Sequence, residues 1–282
     1  MKPFSDEKFV YFPVKDSAEG VMDGDFVWKS FQPIKKRKTH LDIIGRISFD
    51  IVGDIALVDL KAISGLDRKE VADTLLSTLP IRSVFGVGEV SGEFRVAQLV
   101  HLGGSRNTLT LHKENKCVFE LDVARVYFNP RLATERARVE RRISQEGARV
   151  ILDMFAGAGP FSILIAKMDK TRVVHAIEKN PVACHFLRRN VELNKVSNVI
   201  VHEGDVRDIL ATQKIEADAI IMNLPHTAIN FLPLALKCSH PGTLIFLYTI
   251  SADEPDIQGM ERARKVKSYA PGVSIWCVEV RV

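Results

Sequence analysis

Four acidic or amide side chains stand just behind apolar runs of strand type. Asp153 follows Val150-Ile-Leu, Glu178 follows His175-Ala-Ile, Asp205 lies in Glu203-Gly-Asp-Val-Arg, and Asn223 opens Asn223-Leu-Pro225. The first of these leads into Met154-Phe-Ala-Gly-Ala-Gly-Pro-Phe161, where Gly157 and Gly159 permit a tight turn into a helix and close approach of a ligand to the backbone. A dinucleotide fingerprint would carry a third glycine where Ser162 stands, and it would have no use for Asp153 and Phe155. A diphosphate is held by bare amides and a helix dipole. An acid opposite the loop instead suits a cationic ligand, such as the sulfonium and amino group of S-adenosylmethionine. The bland alternative is a glycine-rich turn with no ligand.

Each remaining strand end has a chemical reading and a plain one. Glu178 is placed to take both hydroxyls of a ribose; otherwise it caps a helix or sits at the surface. Asp205, with Val206 beside it, is placed to accept from an adenine amino group; an ordinary turn aspartate looks the same. Asn223 and the proline-fixed backbone at Pro225 present carbonyl groups towards a transferred group, and a simple proline turn would resemble them. Ligands in doubly wound sheets sit outside the carboxyl ends of the strands, so four such signals in chain order support one cofactor site.

The elements that must position these residues fall into two rhythms. From residue 41 to 121 the pattern is mixed: two strands over 47–60 joined through Gly53-Asp54, a helix over 68–79, and strand-like runs at 83–87, 94–102, 107–111 and 116–123. That is a compact α+β module. From Val126 strands and helices alternate: strands at 149–154, 172–177, 199–202, 217–222 and 242–248, helices at 161–167, 181–194 and 227–238, and a terminal strand pair over 266–282. Such alternation demands a mostly parallel, doubly wound α/β sheet with helices on both faces. The predicted organisation is a short amino-terminal remnant (1–30), an α+β RNA-binding module (31–125) and a Rossmann-like domain (126–282).

Composition sets looser bounds. The 282 residues are 46% hydrophobic and 26% charged, as in globular proteins, and the net charge of +4 does not by itself indicate nucleic acid. Local charge is more pointed. Lys35-Lys36-Arg37-Lys38 is one basic run, and Arg125 to Arg142 holds six arginines against two glutamates. Solvated surface is the ordinary fate of such runs. Cys117, Cys184, Cys238 and Cys277 are scattered with no metal-ligand spacing, so neither a metal site nor a disulfide framework is expected. No apolar leader and no run of 18 apolar residues is visible, and a cytoplasmic protein is expected.

The strand-end motifs resemble those of class I S-adenosylmethionine-dependent methyltransferases. With Val126-Tyr-Phe-Asn-Pro-Arg-Leu-Ala-Thr-Glu-Arg-Ala-Arg138, Gly92-Glu-Phe-Arg95, Thr108-Leu-Thr-Leu-His112 and Lys267-Ser-Tyr-Ala-Pro271, the set resembles the archaeal and eukaryotic tRNA (guanine-37-N1) methyltransferases from about Ile47 onward. The resemblance implies methyl transfer to N1 of guanine 37 in the anticodon loop, a tRNA partner and a monomeric enzyme. Removing the N1 proton needs a base, and charge moving to O6 needs a cation. By resemblance Glu135 is that base and Arg95 the cation, with Arg136 meeting the methionine carboxylate and Tyr127 shaping the pocket. From the residues alone, Leu132, Arg136, Val139 and Ile143 share one helical face, while Glu135 lies with Arg131, Arg138 and Arg142, where a surface ion pair is the simpler account. Because Arg95 is in the smaller module, the base is expected to be extruded into a cleft between modules, with the basic segment 125–142 facing RNA. A sister family transfers the aminocarboxypropyl group of the same cofactor at the same tRNA position, but its Gly-Asn pair is replaced here by Asn129-Pro130-Arg131-Leu132. A second methylation of a wyosine precursor, or a catalytically silent RNA-binding protein, are further alternatives.

Overall fold

The computed structural model describes residues 4–5, 10–11, 38–91, 94 and 96–282. Most of the expected amino-terminal remnant, Lys35-Lys36-Arg37 and Arg95 lie outside the described residues. The chain divides into two units, residues 1–45 and 46–282. In the first, β1 (Phe4–Ser5) pairs antiparallel with β2 (Val10–Tyr11). Its α1 (His40–Ile44) starts where the Asp42 carboxylate accepts from the Thr39 amide at 2.7 Å.

The second unit opens with β3 (Phe49–Val52) and β4 (Ile55–Asp59), an antiparallel hairpin turned at Gly53. Gly53 has φ +58°, and a Cβ there would meet the Leu111 carbonyl oxygen at 2.7 Å, so only glycine fits. Helix α2 (Arg68–Thr78) is capped by the Asp67 carboxylate and crosses to β5 (Ser83–Ser91), which runs parallel to β4. With β6 (Val96–Gly104) the sheet order is β3-β4-β5-β6. The strands β7 (Leu109–Glu114) and β8 (Cys117–Asp122) form their own hairpin. The sequence reading groups this hairpin with the amino-terminal module. Its outer strand is fastened elsewhere, as the following elements show.

Helix α3 (Ala133–Gln145) leads into β9 (Val150–Asp153), α4 (Pro160–Met168), β10 (Val173–Glu178), α5 (Pro181–Leu193), β11 (Val199–Glu203), α6 (Val206–Thr212), β12 (Ala217–Met222), α7 (Leu232–Lys237), β13 (Ser239–Ser251), β14 (Met260–Ala270) and β15 (Val273–Arg281). The seven strands lie in the order β11-β10-β9-β12-β13-β15-β14, the first five parallel and the last two antiparallel. Alternate residues of the central strands fill opposite faces. Ile151, Ala219, Ile221 and Phe246 pack with Val139, Ile143 and Leu187, whereas Leu152, Ile220, Met222 and Leu247 pack with Val206 and Ala235. Helices therefore cover both sides, as the near-continuous apolar strands require. Burying one such Ile or Leu contributes about 1.5–3 kcal/mol.

Two elements differ from expectation. The helix foreseen over 227–238 is a 3-10 turn (Ala228–Phe231) followed by α7, because Pro233 lacks an amide hydrogen and belongs in a helix's first turn. Helix α6, seven residues long, was not foreseen, and Asp205 is its N-cap. The β7–β8 hairpin is held by α5. The Asn194 amide bridges the Val118 amide (2.9 Å) and carbonyl (2.6 Å), and the Asn190 amide bridges those of Glu120 (2.6 and 3.2 Å).

Candidate active site

The order of the sheet places β9 between β10 and β12, so the chain leaves β9 in opposite directions on its two sides. At that switch point the carboxyl ends of the strands open a cavity of about 960 Å³. Tyr127, Phe155, Gly157, Glu178, Asp205, Val206 and Asn223 line it, all of them expected from the sequence. Phe94, the neighbour of Arg95, also lines it, so the loop of the smaller module reaches this wall. A second cavity of about 670 Å³ lies between β3–β6 and the 126–131 segment, and it shares Val126 and Tyr127 with the first.

The two loop glycines do different work. Gly157 has φ +57°, and a Cβ built on it would meet nothing within 4 Å, so the turn leaves open space towards the cavity. Gly159 has φ +88°, but a Cβ there would strike Leu187 at 2.3 Å and Ile163 at 2.9 Å. It serves helix packing, and it does not line the cavity. Asp153 is buried and takes the Ser162 hydroxyl at 2.6 Å, while its Oδ1 has no hydrogen-bond partner among the described residues. Burial raises its pKa to about 7, opposed by the Ser162 hydroxyl. Burial also raises Glu178, against hydrogen bonds from the Asn180 and Gly157 amides, one to each carboxylate oxygen at 2.7 Å. Glu178, with one amide on each oxygen and beside the open Gly157 turn, is suited to a hydroxyl-bearing ligand, whereas Asp153 is fully buried and does not line the cavity.

Asp205 has no comparable reserve. Arg207 donates its amide, Nε and Nη2, and Lys179 Nζ stands 3.1 Å away, so both oxygens are engaged. Hydrogen bonds from Arg207 hold its carboxyl well below the ordinary range. Asn223 and Leu224 line the cavity after β12, whereas Pro225 shapes the turn without lining it. The sequence reading missed Lys179, Arg207, His226, Phe231 and Tyr269 as wall residues. Three of them take part in edge-to-face aromatic pairs, Phe155–Phe231 at 5.1 Å and His226–Tyr269 at 5.4 Å between centroids. Lys179 follows Glu178, Arg207 lies in Glu203-Gly-Asp-Val-Arg and Tyr269 in Lys267-Ser-Tyr-Ala-Pro271, so each carries a local signal in the sequence.

Helix α3 departs furthest from expectation. Glu135 is not on an exposed face: it is 6% exposed, and it lines neither cavity. Arg138 donates Nε to Oε2 (2.8 Å) and Nη2 to Oε1 (2.7 Å), and the buried Tyr248 hydroxyl donates to Oε1 at 2.9 Å. Arg138 also binds Glu279, which Arg142 shares. Arg136 is 1% exposed and grips Glu114 through two 2.6 Å bonds, with a third to the Asn129 carbonyl at 3.0 Å. The guanidinium expected at the cofactor thus bolts α3 to β7. Arg131 pairs with Asp50 and Arg142 with Glu146 and Glu261. Four of the six arginines from 125 to 142 are consumed within the second unit, and only Arg125 and Arg141 lack a carboxylate partner among the described residues. The segment as a whole is no free basic surface.

The sheet order, the glycine turn after its first central strand and the acids at the next strand ends define a class I methyltransferase fold. Within that class the chain belongs to the TRM5/TYW2 family. The TRM5/TYW2 methyltransferase domain matches residues 110–275, and the TYW2 N-terminal domain matches residues 38–108. The tRNA (guanine(37)-N(1))-methyltransferase Trm5b of Pyrococcus abyssi is 42% identical over 92% of this chain and 79% of its own. The solved complex of aTrm5 with tRNALeu superposes with a TM-score of 0.76 at 33% identity, covering 100% of this chain and 92% of that one. Methanocaldococcus jannaschii Trm5 bound to adenosine gives a TM-score of 0.70 at 34% identity, covering 100% of this chain and 90% of that one.

Proposed function

We propose that the chain transfers a methyl group from S-adenosylmethionine to N1 of guanine at position 37 of tRNA. The observation that carries this reading is the cavity at the switch point, whose open Gly157 cradle and Glu178 carboxylate fit such a cofactor, in a chain 42% identical to a methyltransferase named for that reaction. The cofactor, when bound, supplies an electrophilic methyl group on a sulfonium. Glu178 keeps a lone pair on each oxygen for ribose hydroxyls, and Phe155 and Phe231 offer an apolar wall. An adenine amino group at Asp205 must displace one donor of Arg207 or Lys179.

We propose Glu135 as the group that takes the N1 proton and Arg95 as the cation that stabilises charge on O6. Since Glu135 lines neither cavity, that role requires its side chain to turn out of the Arg138–Tyr248 network when tRNA is bound. The cleft beside Tyr127 is the place for an extruded base, with the RNA-binding module expected over 31–125 ending before the β7–β8 hairpin that α5 clasps, and that hairpin joining 126–282 in carrying the transfer. A monomeric, cytoplasmic enzyme is the accompanying reading: the four cysteines are free, and among the described residues no helix is long and apolar enough to cross a membrane. The match of residues 38–108 to the TYW2 N-terminal domain gives a second reading, aminocarboxypropyl transfer to, or methylation of, a wyosine precursor at the same position.

The test is incubation with methyl-labelled cofactor and an unmodified transcript bearing guanine at position 37, followed by nucleoside analysis. Label in 1-methylguanosine is expected. Transfer only to a precursor-bearing tRNA would instead favour the second reading.

A further inference from the structure

With four arginines of the 125–142 segment consumed, the unneutralised charge lies elsewhere. The edge strand β14 carries Arg262, Arg264 and Lys265, with Lys267 further along, and its single acid, Glu261, is held by Arg281 and Arg142. Arg262, Arg264 and Lys265 are exposed and make no hydrogen bond or ion pair with another described residue. Arg262 stands opposite Glu279 on β15 and Arg264 opposite Cys277, so both project on the face that carries α3. There the Glu279 carboxylate is already matched by Arg138 and Arg142, which leaves Arg262 as surplus positive charge. Lys265 stands opposite Trp276, so it projects on the other face of the edge strand, beside a register shift that re-aims the chain. Arg262 and Arg264, two apart on one face, stand about 6.6–6.8 Å apart, a spacing on which two cations can follow a charged chain.

The position of the strand adds the second argument. Lys267 lines the cleft between the modules, and Tyr269 lines the cofactor cavity. The strand that carries these cations therefore has one end beside the reaction site and runs outward along the sheet edge.

We infer that β14, through Arg262, Arg264 and Lys265, is a phosphate-binding rail for the backbone of the tRNA whose base enters the cavity. This rests on the tRNA reading above. The competing account is that charge on an edge strand merely blocks edge-to-edge pairing.

The two accounts separate in salt-titrated binding of a guanine-37 transcript, with melting used to confirm folding and sedimentation used to follow self-association. The triple variant R262Q/R264Q/K265Q is expected to bind at least about tenfold more weakly near 0.1 M salt. Its slope of log K against log salt should be shallower by about 2–3, since each lost phosphate contact removes nearly one unit. K170Q, an exposed lysine at the opposite end of the sheet, should leave both unchanged. A folded triple variant with wild-type affinity and slope would overturn the rail, and more so if it self-associates. Wild-type protein that neither binds nor methylates the transcript would instead overturn the functional reading beneath it.

Discussion

The carboxyl ends of β9 and β10 and the inner face of α3 handle charge in opposite ways. At the strand ends the acids are left with capacity: buried Asp153 keeps an oxygen without a partner among the described residues, half-buried Glu178 accepts one amide per oxygen, and Gly157 faces open space. On α3 every buried charge is matched, with Glu135, Arg138 and Glu279 in one network and Arg136 with Glu114 in another. A partly satisfied polar site is prepared for a ligand, whereas a fully satisfied one holds the fold and must open before it can act. A preformed cofactor site can thus coexist with a proton acceptor that is shut away until substrate arrives.

The largest expected effect tests the closed side. Glu135→Gln should slow single-turnover methyl transfer by about 10²–10⁴-fold while leaving cofactor affinity nearly intact. A wild-type rate would reduce Glu135 to a structural anion and end its role as acceptor. Arg136→Met sharpens the same side. It leaves Glu114 buried beside His112 without its guanidinium, so urea unfolding should show a loss of about 3–5 kcal/mol. A stable variant with weakened cofactor binding would restore Arg136 to the cofactor.

Gly157→Val addresses the open side. Its branched side chain would occupy the space reserved for the ligand at a φ of +57°, and calorimetry should show affinity falling about 100-fold or more. Unchanged affinity in a folded variant would place the cofactor elsewhere. The smallest effect concerns Asp153. A carboxyl raised to about 7 binds more protons in the folded than in the unfolded chain between about pH 4 and 7. This group therefore costs nothing below about pH 4, lowers stability as pH rises across that window, and leaves the full loss in place above it. Asp153→Asn should flatten that part of the pH–stability curve by on the order of 1–2 kcal/mol, as read from unfolding at pH 5 and pH 7.5.

The open side was legible in the sequence and the closed side was not, for a physical reason. Phe155, Gly157, Glu178 and Asn223 are local signals: a glycine, or a polar side chain, ending an apolar run. The burial of Glu135 depends on Tyr248 and, through Arg138, on Glu279, which arrive more than a hundred residues later from the far strands of the sheet. Helical periodicity gave α3 its apolar face but not its charged partners. The split of 227–238 was readable in principle at Pro233, whereas α6 is too short for its periodicity to register.

The clasp between α5 and the β7–β8 hairpin bears on where this chain can be severed. A fragment starting at Val126 would lose the strand whose backbone satisfies Asn190 and Asn194, and with it Phe119 and Leu121 from the buried core. A fragment starting near Arg106 keeps both. The smallest portion able to stand alone therefore begins a hairpin earlier than the alternating strand–helix pattern, and a recombinant transferase domain is best cut there.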